Sequence, residues 1–314
     1  MKAVYFLCND LTHDPVAPNV YKAVNEIFHP VPAGFDFESR PVMKYHDTEG
    51  NVFYFAETND TLSHYLGEAL PVVEDLFGDC DFAGVVNWHE GASAPDKVFT
   101  VHATGDVSSG HFGKTAPFCH YALFLAMEKA LRDRSLDEKG WTVWSEATHF
   151  SGMLYAQDPA LLEKTDLPFY DIEIGSTAEA WANEEAAATL AEALVHAFDV
   201  SADRPAVVLA FGDVHFSKTF SEATLAEDPA VVCAVHLPNQ WLVSGRYENE
   251  DGFTKAKNAA ACVKGGIDGV VFHEGLAGPY KKLCRELAEE LSVPVFKHKV
   301  LRDPKRLQEA LGNR

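Results

Sequence analysis

The segment Ala206–Phe211, with the sequence AVVLAF, contains no polar residue, and Ala230–Val235, AVVCAV, repeats that pattern further along the chain. Uninterrupted apolar runs of this length are typical of strands that are covered on both faces, as in parallel sheets. Between the two runs, Ser217–Ala226 has the spacing of a helix. A strand–helix–strand series of this kind predicts an α/β fold.

The same alternation of apolar runs and helical patterns continues along the chain. We predict an open, mainly parallel mixed sheet with helices on both faces, in a single large α/β hydrolase-type domain over residues 1–314. Residues at about 30–58 are interpreted as a strand-rich excursion at the sheet edge.

Individual elements can also be predicted. Ser176 and Glu179 have capping-box spacing, which predicts a long helix from Thr177. The predicted strands are Ala3–Cys8, Val52–Ala56, Phe82–Trp88, Val98–His102, Thr142–Glu146, Phe169–Ile174, Ala206–Phe211, Val231–His236, Gly269–Phe272 and Val295–Lys297. The predicted helices are Asn19–Phe28, Thr61–Leu76, Ala116–Arg134, Thr177–Phe198, Ser217–Ala226, Phe253–Val263 and Pro279–Leu291.

Net charge restricts the classes of function. The chain has 26 Lys and Arg against 47 Asp and Glu, a net charge of −21. Because an acidic surface repels phosphates, composition alone argues against a nucleic-acid-binding protein. The sequence shows no apolar run of about 20 residues that could cross a membrane and no signal peptide. With six scattered cysteines that we interpret as reduced core thiols, these features predict a cytoplasmic protein without a membrane partner.

Polar residues follow seven of the predicted strands, at the point where each strand ends. Because the carboxyl ends of strands form the ligand crevice of an open α/β sheet, these side chains are expected to converge. Imidazole and carboxylate together suit a zinc site that keeps a position for water. Without a metal, the same groups could carry out general acid–base catalysis. The seven groups are Asn87, His89 and Glu90; His102, Thr104, Gly105 and Asp106; Glu146, Thr148 and His149; Glu173 and Gly175; Asp213 and His215; His236; and His273, Glu274 and Gly275.

The loop Ser108–Thr115, SSGHFGKT, lies between a predicted strand and a predicted helix and ends like a phosphate-binding P-loop. A P-loop requires glycine where Ser108 stands. A Gly-rich loop that lets the backbone approach another substrate is therefore favoured. A plain flexible turn fits the sequence equally well, and nucleotide binding is retained as an alternative.

These strand-end segments resemble those of the archaeal and plant type of D-aminoacyl-tRNA deacylase. The resemblance implies an α/β domain that uses zinc to hydrolyse the ester between a D-amino acid and the terminal ribose of tRNA. The implied partner is the acceptor end of tRNA carrying a D-amino acid. In the family's order, the matching pieces are Asp14–Val20, Phe99–Gly105, Glu146–His149, Glu173–Thr177 with Trp181, Gly212–Phe216 with Phe220 and Ala223, and Val235–Pro238.

The uneven placement of charge bears on that implied substrate. Pro279–Arg314 contains nine basic and five acidic residues, a local charge of +4, and the rest of the chain carries −25. Mixed charges are typical of a solvated terminal helix, but a basic C-terminal face could contact an acceptor stem. Any tRNA contact is therefore expected to be local, weak and salt-sensitive.

The leading hypothesis is a zinc-dependent deacylase in which hydroxide attacks the acyl carbonyl and tRNA leaves. Asp106, Phe150 and Asp213 depart from the family pattern, which motivates a second hypothesis, a zinc-dependent hydrolase of a small amide or ester without RNA. A third is a non-catalytic nucleotide- or ligand-binding protein. The predicted site residues are His102, Asp106, Glu146 and Glu173 for catalysis; His102, His149 and His215 for the metal; and His89, Glu90, Thr104, Gly105, Gly110 and Gly113 for substrate binding.

Overall fold

The computed structural model describes residues 1–91, 94–199, 204–226 and 230–312. Two main sheets, one larger than the other, are surrounded by helices and short 3₁₀ turns. The strands are β1 Lys2–Cys8, β2 Val31–Phe37, β3 Arg40–His46, β4 Val52–Thr58, β5 Phe82–His89, β6 Lys97–Ala103, β7 Gly105–Asp106, β8 His111–Phe112, β9 Thr142–Ser145, β10 Phe169–Ser176, β11 Ala206–Phe211, β12 Val231–Leu237, β13 Gly269–Phe272 and β14 Val295–Lys297. The helices are α1 Ala17–Phe28, α2 Leu66–Phe77, α3 Pro117–Asp133, α4 Ala178–Trp181, α5 Glu184–Leu194, α6 Lys218–Thr224, α7 Asn239–Ser244, α8 Gly252–Ala261, α9 Gly278–Leu291 and α10 Pro304–Leu311. The 3₁₀ turns are Leu62–His64, Asp137–Lys139, Ser151–Tyr155, Pro159–Lys164 and His298–Arg302.

The large sheet has eight strands in the order β2-β3-β4-β1-β5-β10-β6-β9. Its centre is parallel, since β1 pairs in parallel with both β4 and β5, and β5 with β10. β6 is inserted antiparallel to β10 and pairs in parallel with β9. The predicted mixed and mainly parallel α/β sheet is therefore confirmed.

Helices cover both faces of the large sheet, as the apolar runs predict. On one face, apolar side chains of α1, α3 and α5 pack against β1, β6 and β10 in the largest core cluster. On the other face, α2 packs against β1 and β5 around Phe6 and Phe77. Burial on both sides explains why these strands carry long apolar runs.

The small sheet has four strands in the order β12-β11-β13-β14, all parallel. α8 and α9 cover one face and α6 and α10 the other. α3 contributes Leu123 and Phe124 to the core of the large sheet and Tyr121 to that of the small sheet. This shared helix fixes the position of one sheet against the other. The assignment of the whole chain to one domain stays a prediction.

The predicted edge excursion contains β2, β3 and β4. β2 and β3 are the outermost antiparallel strands, whereas β4 pairs directly with β1 and belongs to the body of the sheet.

The single long helix predicted over Thr177–Phe198 is wrong, and so is its Ser176 cap. The Thr177 side chain accepts from the backbone N–H of Ala180 and caps α4, and the Asn183 side chain accepts from Ala186 and caps α5. A side chain that caps a new helix competes with continuation of the preceding one, which explains the break.

All six cysteine side chains are buried and none forms a disulfide, which confirms the predicted core thiols. Across the described ranges, no helix is both long and apolar enough to cross a membrane. Arg314, which contributes to the predicted basic C-terminal segment, lies outside the described residues.

Candidate active site

The site is built on one face of the large sheet, where two antiparallel strands carry polar side chains. In β6, Thr100 and His102 face one way, and the apolar residues between and beside them face α3. In β10, Asp171 and Glu173 occupy the same polar face. The register sets His102 opposite Asp171 and Thr100 opposite Glu173. Four polar side chains are therefore adjacent in the interior of the molecule.

Neighbouring strands and loops complete this polar face. Asn87 and His89 come from β5, and Glu146 directly follows β9. Two loops supply His149 and His215, and they are joined because the backbone N–H of Ala147 donates to the His215 carbonyl at 3.0 Å. His215 follows a strand of the small sheet, so the site lies where the two sheets meet.

A cavity of about 460 Å³ opens onto these groups. Cavities of roughly this size, 300–1,000 Å³, are typical of small-molecule sites. Its walls combine the polar residues with aromatic and apolar side chains. The lining residues are Thr61, His64, Asn87, Trp88, His89, Glu90, Gly105, Asp106, Val107, Glu146, His149, Phe150, Ser151, Met153, Leu154, Tyr155, Glu173, His215 and Trp241.

Two groups of histidine and carboxylate side chains could each hold a metal ion, and we call them the ligand groups. The first is formed by His89, Glu146 and His215. Their ligand atoms all lie within 4.8 Å of one another. The Glu146 side chain is fully buried, with His215 Nε2 at 2.5 Å and His89 Nε2 at 3.5 Å from its Oε1. Its Oε2 accepts a hydrogen bond from Thr100 Oγ1 at 2.9 Å. Glu146 is thus the centre of this group.

The second ligand group is formed by His102, His149 and Glu173, again within 4.8 Å. The rings of His102 and His149 stack with centroids 3.8 Å apart. His102 Nε2 lies 3.5 Å from Glu173 Oε1 and 3.8 Å from Asp171 Oδ2. Among the described residues, His102 Nε2, Asp171 Oδ2 and Glu173 Oε2 are buried without a hydrogen-bond partner. Buried polar atoms without partners are rare and point to a missing ligand.

Backbone contacts orient these imidazoles. The Nδ1 atom of His102 donates to the Ala103 carbonyl at 3.1 Å, and that of His149 donates to the Ala147 carbonyl at 3.0 Å. A carbonyl oxygen only accepts hydrogen bonds, so each Nδ1 carries a proton, and Nε2 is the ring atom that faces the carboxylates. Metal-binding histidines are held by the same arrangement.

The two glutamates have opposite electrostatic environments. Burial, together with the charge of Glu146, raises the pKa of Glu173 to about 7. Burial acts to raise the pKa of Glu146, but hydrogen bonding to His215 and His89 and the charges of His102 and His149 together outweigh it and hold this pKa well below its usual range. Burial disfavours charge on His102, yet Glu173, Glu146 and Asp171 together raise its pKa to about 10. Paired carboxylates with separated pKa values are typical of acid–base sites.

Most of the sequence-predicted residues converge on this cavity or its polar wall. His89, His102, Glu146, His149, Glu173 and His215 form the two ligand groups, and Glu90, Gly105 and Asp106 line the cavity. The structure divides the three predicted metal ligands between the two groups, and it adds His89, which was predicted as a substrate contact.

The prediction that the polar residues of all seven strand ends converge on one site is wrong. His236 is turned away, since its Nε2 donates to the Gly212 carbonyl at 2.8 Å. His273 stacks on His298 with centroids 4.1 Å apart, and Glu274 pairs with Lys299. The physical reason is that His236 and His273 lie at strand ends of the small sheet, whereas most of the site forms on one face of the large sheet, where β6 runs antiparallel to β10.

The glycine loop that follows β6 forms the short β7–β8 hairpin. Gly110 and Gly113 are not among the residues that line the cavity. Gly110 packs closely against Lys255, so a side chain at this position would collide with it. Thr104 is buried, and its hydroxyl donates to the Phe169 carbonyl at 3.3 Å. Their roles in substrate binding stay predictions.

The same loop does not form a phosphate cradle. The N–H groups of Gly110, Gly113 and Thr115 donate to the carbonyls of Asp106, Thr104 and Cys262. A P-loop needs such groups free, so the structure removes the basis for nucleotide binding there.

Sequence reasoning missed Asp171 and the aromatic wall. Asp171 accepts hydrogen bonds from Ser63 Oγ at 2.9 Å and Asn87 Nδ2 at 3.0 Å. Asp171 could have been found from the sequence, because Tyr170–Ile174 alternates apolar and acidic residues and so places Asp171 on the same face of the strand as Glu173. Tyr155 and Trp241 come from other segments, and no sequence spacing connects them with the site.

Comparison with known proteins identifies the family. The sequence model described as D-aminoacyl-tRNA deacylase matches residues 76–296. The chain belongs to the D-aminoacyl-tRNA deacylase family. As a member of this family, it is a hydrolase that acts on ester bonds. The resemblance expected from the strand-end segments is therefore confirmed.

Relatives from archaea match nearly the whole chain. A D-aminoacyl-tRNA deacylase of Pyrococcus abyssi is 27% identical over 298 residues, which cover 90% of this chain and 96% of the relative. Another, from Archaeoglobus fulgidus, is 27% identical over 289 residues, covering 87% and 91%. The crystal structure of a conserved protein of unknown function, AF0625, matches with a TM-score of 0.75 at 20% identity over 97% of both chains. This last likeness shows the fold alone.

Proposed function

We propose that this deacylase-family chain hydrolyses the ester bond of D-aminoacyl-tRNA, releasing a D-amino acid and tRNA, with zinc as its cofactor and in the cytoplasm. The observation that carries the proposal is the pair of adjacent His/carboxylate groups, of which all residues but the buried His102 line one cavity. Family membership supports the substrate, and the donor atoms of the two groups support the metal.

The residues present fit zinc. Imidazole nitrogen and carboxylate oxygen are ligands of catalytic zinc, and both groups offer two histidines and one glutamate. The buried, unpartnered Nε2 of His102 and Oε2 of Glu173 are atoms that a cation would satisfy. His89, Glu146 and His215 would hold one ion and His102, His149 and Glu173 another. Bound zinc supplies a Lewis acid and lowers the pKa of water to about 7.

The protein groups prepare the site for attack by water on an ester. Thr100 and the two imidazoles around Glu146 keep that carboxylate ionised and fixed, so it can orient an incoming hydrogen-bond donor. Where Glu173 does not hold an ion, its Oε2, which has no hydrogen-bond partner among the described residues, is positioned to accept a proton from the attacking water. Asp106 and Trp241 line the same cavity and would limit the poses of the acyl group.

Metal analysis and two variants test the proposal. Purified protein should contain zinc, a chelator should abolish hydrolysis of D-aminoacyl-tRNA, and added zinc should restore it. His102→Ala and His215→Ala should each lose activity by at least about 100-fold, because each removes a ligand or proton-transfer group.

His196→Ala is the matched control, since His196 is exposed and pairs with Asp199 far from the cavity. It should keep wild-type turnover. Wild-type turnover in both His102→Ala and His215→Ala would overturn the assignment of the site. Hydrolysis of a D-amino-acid ethyl ester as fast as of D-aminoacyl-tRNA would favour the hydrolase of small esters instead.

A further inference from the structure

We propose that the turn Met153–Tyr155 at the mouth of the cavity is a docking platform for the terminal adenosine of the RNA 3′ end, with the base stacked on Tyr155. This inference deepens the proposed function and rests on it, because it names the part of the substrate that lies next to the ester.

The turn is apolar and exposed at the place where substrate must enter. Leu154 is 87% exposed, Tyr155 48% and Met153 42%. All three line the same cavity as Glu146 and His215. Single exposed apolar residues are ordinary on protein surfaces, but a contiguous patch marks a binding site. This patch is therefore expected to be covered when substrate is bound.

The Tyr155 ring is held in place from one side. It stacks on the His64 imidazole, with ring centroids 3.5 Å apart and planes at 20°. His64 is itself fixed, since its Nδ1 lies 3.1 Å from Asp60 Oδ1 and its ring meets the edge of Trp88 with centroids 5.9 Å apart. With one face supported, the ring presents its exposed face to a ligand. A preformed aromatic surface loses little conformational entropy on binding, which favours affinity.

The position of the ester identifies the occupant. The acyl group is attached to the terminal ribose, so the terminal base must lie within one nucleoside of the reacting carbonyl. The catalytic groups and this exposed turn line the same cavity of about 460 Å³, which is large enough for an aminoacyl group with its nucleoside. Bases of single-stranded RNA are bound by stacking on aromatic side chains.

Charge also favours a base over a phosphate at this turn. Asp60 lies beside His64, and Glu90 and Asp106 line the same cavity. Phosphate groups would be repelled by these carboxylates, whereas a neutral base would not. The acidic rim and the aromatic surface are thus both compatible with the base of the terminal nucleotide.

Kinetics of a Tyr155→Ala variant on D-aminoacyl-tRNA test the platform. We expect KM to rise about tenfold to a hundredfold, the range set by loss of one base–aromatic stack, with kcat nearly unchanged because the catalytic groups are intact. Tyr155→Phe retains the ring and should restore wild-type KM. Val31→Ala is the control for loss of an exposed apolar side chain, since Val31 lies on the outermost strand of the large sheet.

Binding of free adenosine to the full chain separates the two proposals. By calorimetry, wild-type protein and Tyr155→Phe should bind adenosine more tightly than uridine, and Tyr155→Ala should lose at least about tenfold in affinity. Equal adenosine binding by wild type and Tyr155→Ala, or an unchanged KM for tRNA, would overturn the platform. Absence of D-aminoacyl-tRNA hydrolysis by wild type would instead overturn the proposed function, and adenosine binding would still decide whether Tyr155 holds a base.

Discussion

Glu146 links more of the site than any other side chain described above. Its Oε1 faces His89, His149 and His215 at 3.5, 3.8 and 2.5 Å. Its Oε2 has one donor, the hydroxyl of Thr100 at 2.9 Å. The fixed orientation of a buried carboxylate depends on such a partner, so Thr100 is a positioning residue in this site.

Thr100→Val removes this hydroxyl and keeps the shape of the side chain. We expect kcat/KM to fall about 10- to 100-fold and zinc affinity to fall in parallel, the usual effect of losing an outer hydrogen bond to a ligand. Steady-state kinetics and a zinc titration measure the two effects.

Thr142→Val is the matched control, because the hydroxyl of Thr142 is exposed and, within the described part of the chain, donates to the Lys97 carbonyl alone. It should behave like wild type. Equal zinc affinity and kcat/KM in Thr100→Val and wild type would show that Glu146 does not depend on Thr100.

Helix α3 carries an unusual buried residue, His120. Both of its ring nitrogens are buried, and neither has a hydrogen-bond partner among the described residues. Burial lowers the pKa of His120 to about 3, with a further contribution from the charge of His102. The ring therefore stays neutral in the folded protein at pH values at which an exposed histidine is protonated.

His120→Leu should stabilise the protein at neutral pH by about 1–3 kcal/mol, because it removes buried polar atoms that lack partners. It should also flatten the acid side of the stability curve. In the wild type, the unfolded chain binds a proton at His120 below about pH 6.5 while the folded chain does not. The free energy of unfolding therefore falls as pH drops from about 6.5 towards 3.

Urea unfolding between pH 7 and pH 4 measures both effects. Exposed His46, at the end of β3, provides the control His46→Leu, which should leave the acid slope unchanged. An unaltered slope in His120→Leu would show that His120 is not responsible for the loss of stability in acid. His236, whose pKa is lowered to about 4 mainly by burial, acts in the same direction and would contribute to the remaining slope.

The elements that could be predicted are those with a repeated apolar pattern. Phe82–Trp88 and Ala206–Phe211 agree with β5 and β11 because burial on both faces leaves a continuous run. The β7–β8 hairpin could not be predicted, since strands of two residues carry no periodicity. The break at Asn183 was hidden because apolar residues continue at helical spacing beyond it.

The candidate site was predictable where a residue ends a strand and not where tertiary packing brings it in. Glu146 and His215 follow apolar runs, which made them visible. Tyr155 belongs to a 3₁₀ turn and Trp241 to a short helix, and only the packing of the sheets brings them to the cavity. The antiparallel direction of β6 could not be predicted, because β10 is far away in sequence.

At the scale of the whole molecule, the basic C-terminal segment is less available to RNA than its local charge of +4 suggests. Lys297 and Lys299 both pair with Glu274, at 3.5 and 2.5 Å. Arg302 lies 3.6 Å from Glu222, which belongs to α6, outside the segment. Because these cations already face carboxylates, they can neutralise few phosphates.

The salt dependence of KM for D-aminoacyl-tRNA should therefore be shallow. Each phosphate contact contributes about 0.7–0.9 to the slope of log affinity against log salt, and we expect a slope no steeper than about 2 between 50 and 200 mM KCl. Kinetics at a series of KCl concentrations measure it, and kcat serves as the internal control because it excludes the encounter step. A slope of about 5 or more would reveal an extended basic track that this charge distribution does not provide.

The pairing of β6 with β10 has a consequence for how the protein is made. The side chains of Thr100, His102, Asp171 and Glu173 share one face only in the observed register. A slip of one residue would turn His102 into the apolar layer under α3 and bring valine into the cavity wall. Burying an imidazole among aliphatic side chains is unfavourable, so a mispaired chain would be too unstable to accumulate. The residues of the candidate site thus also favour the correct pairing of β6 with β10 during folding, so a folded isomer with a disrupted site would not accumulate.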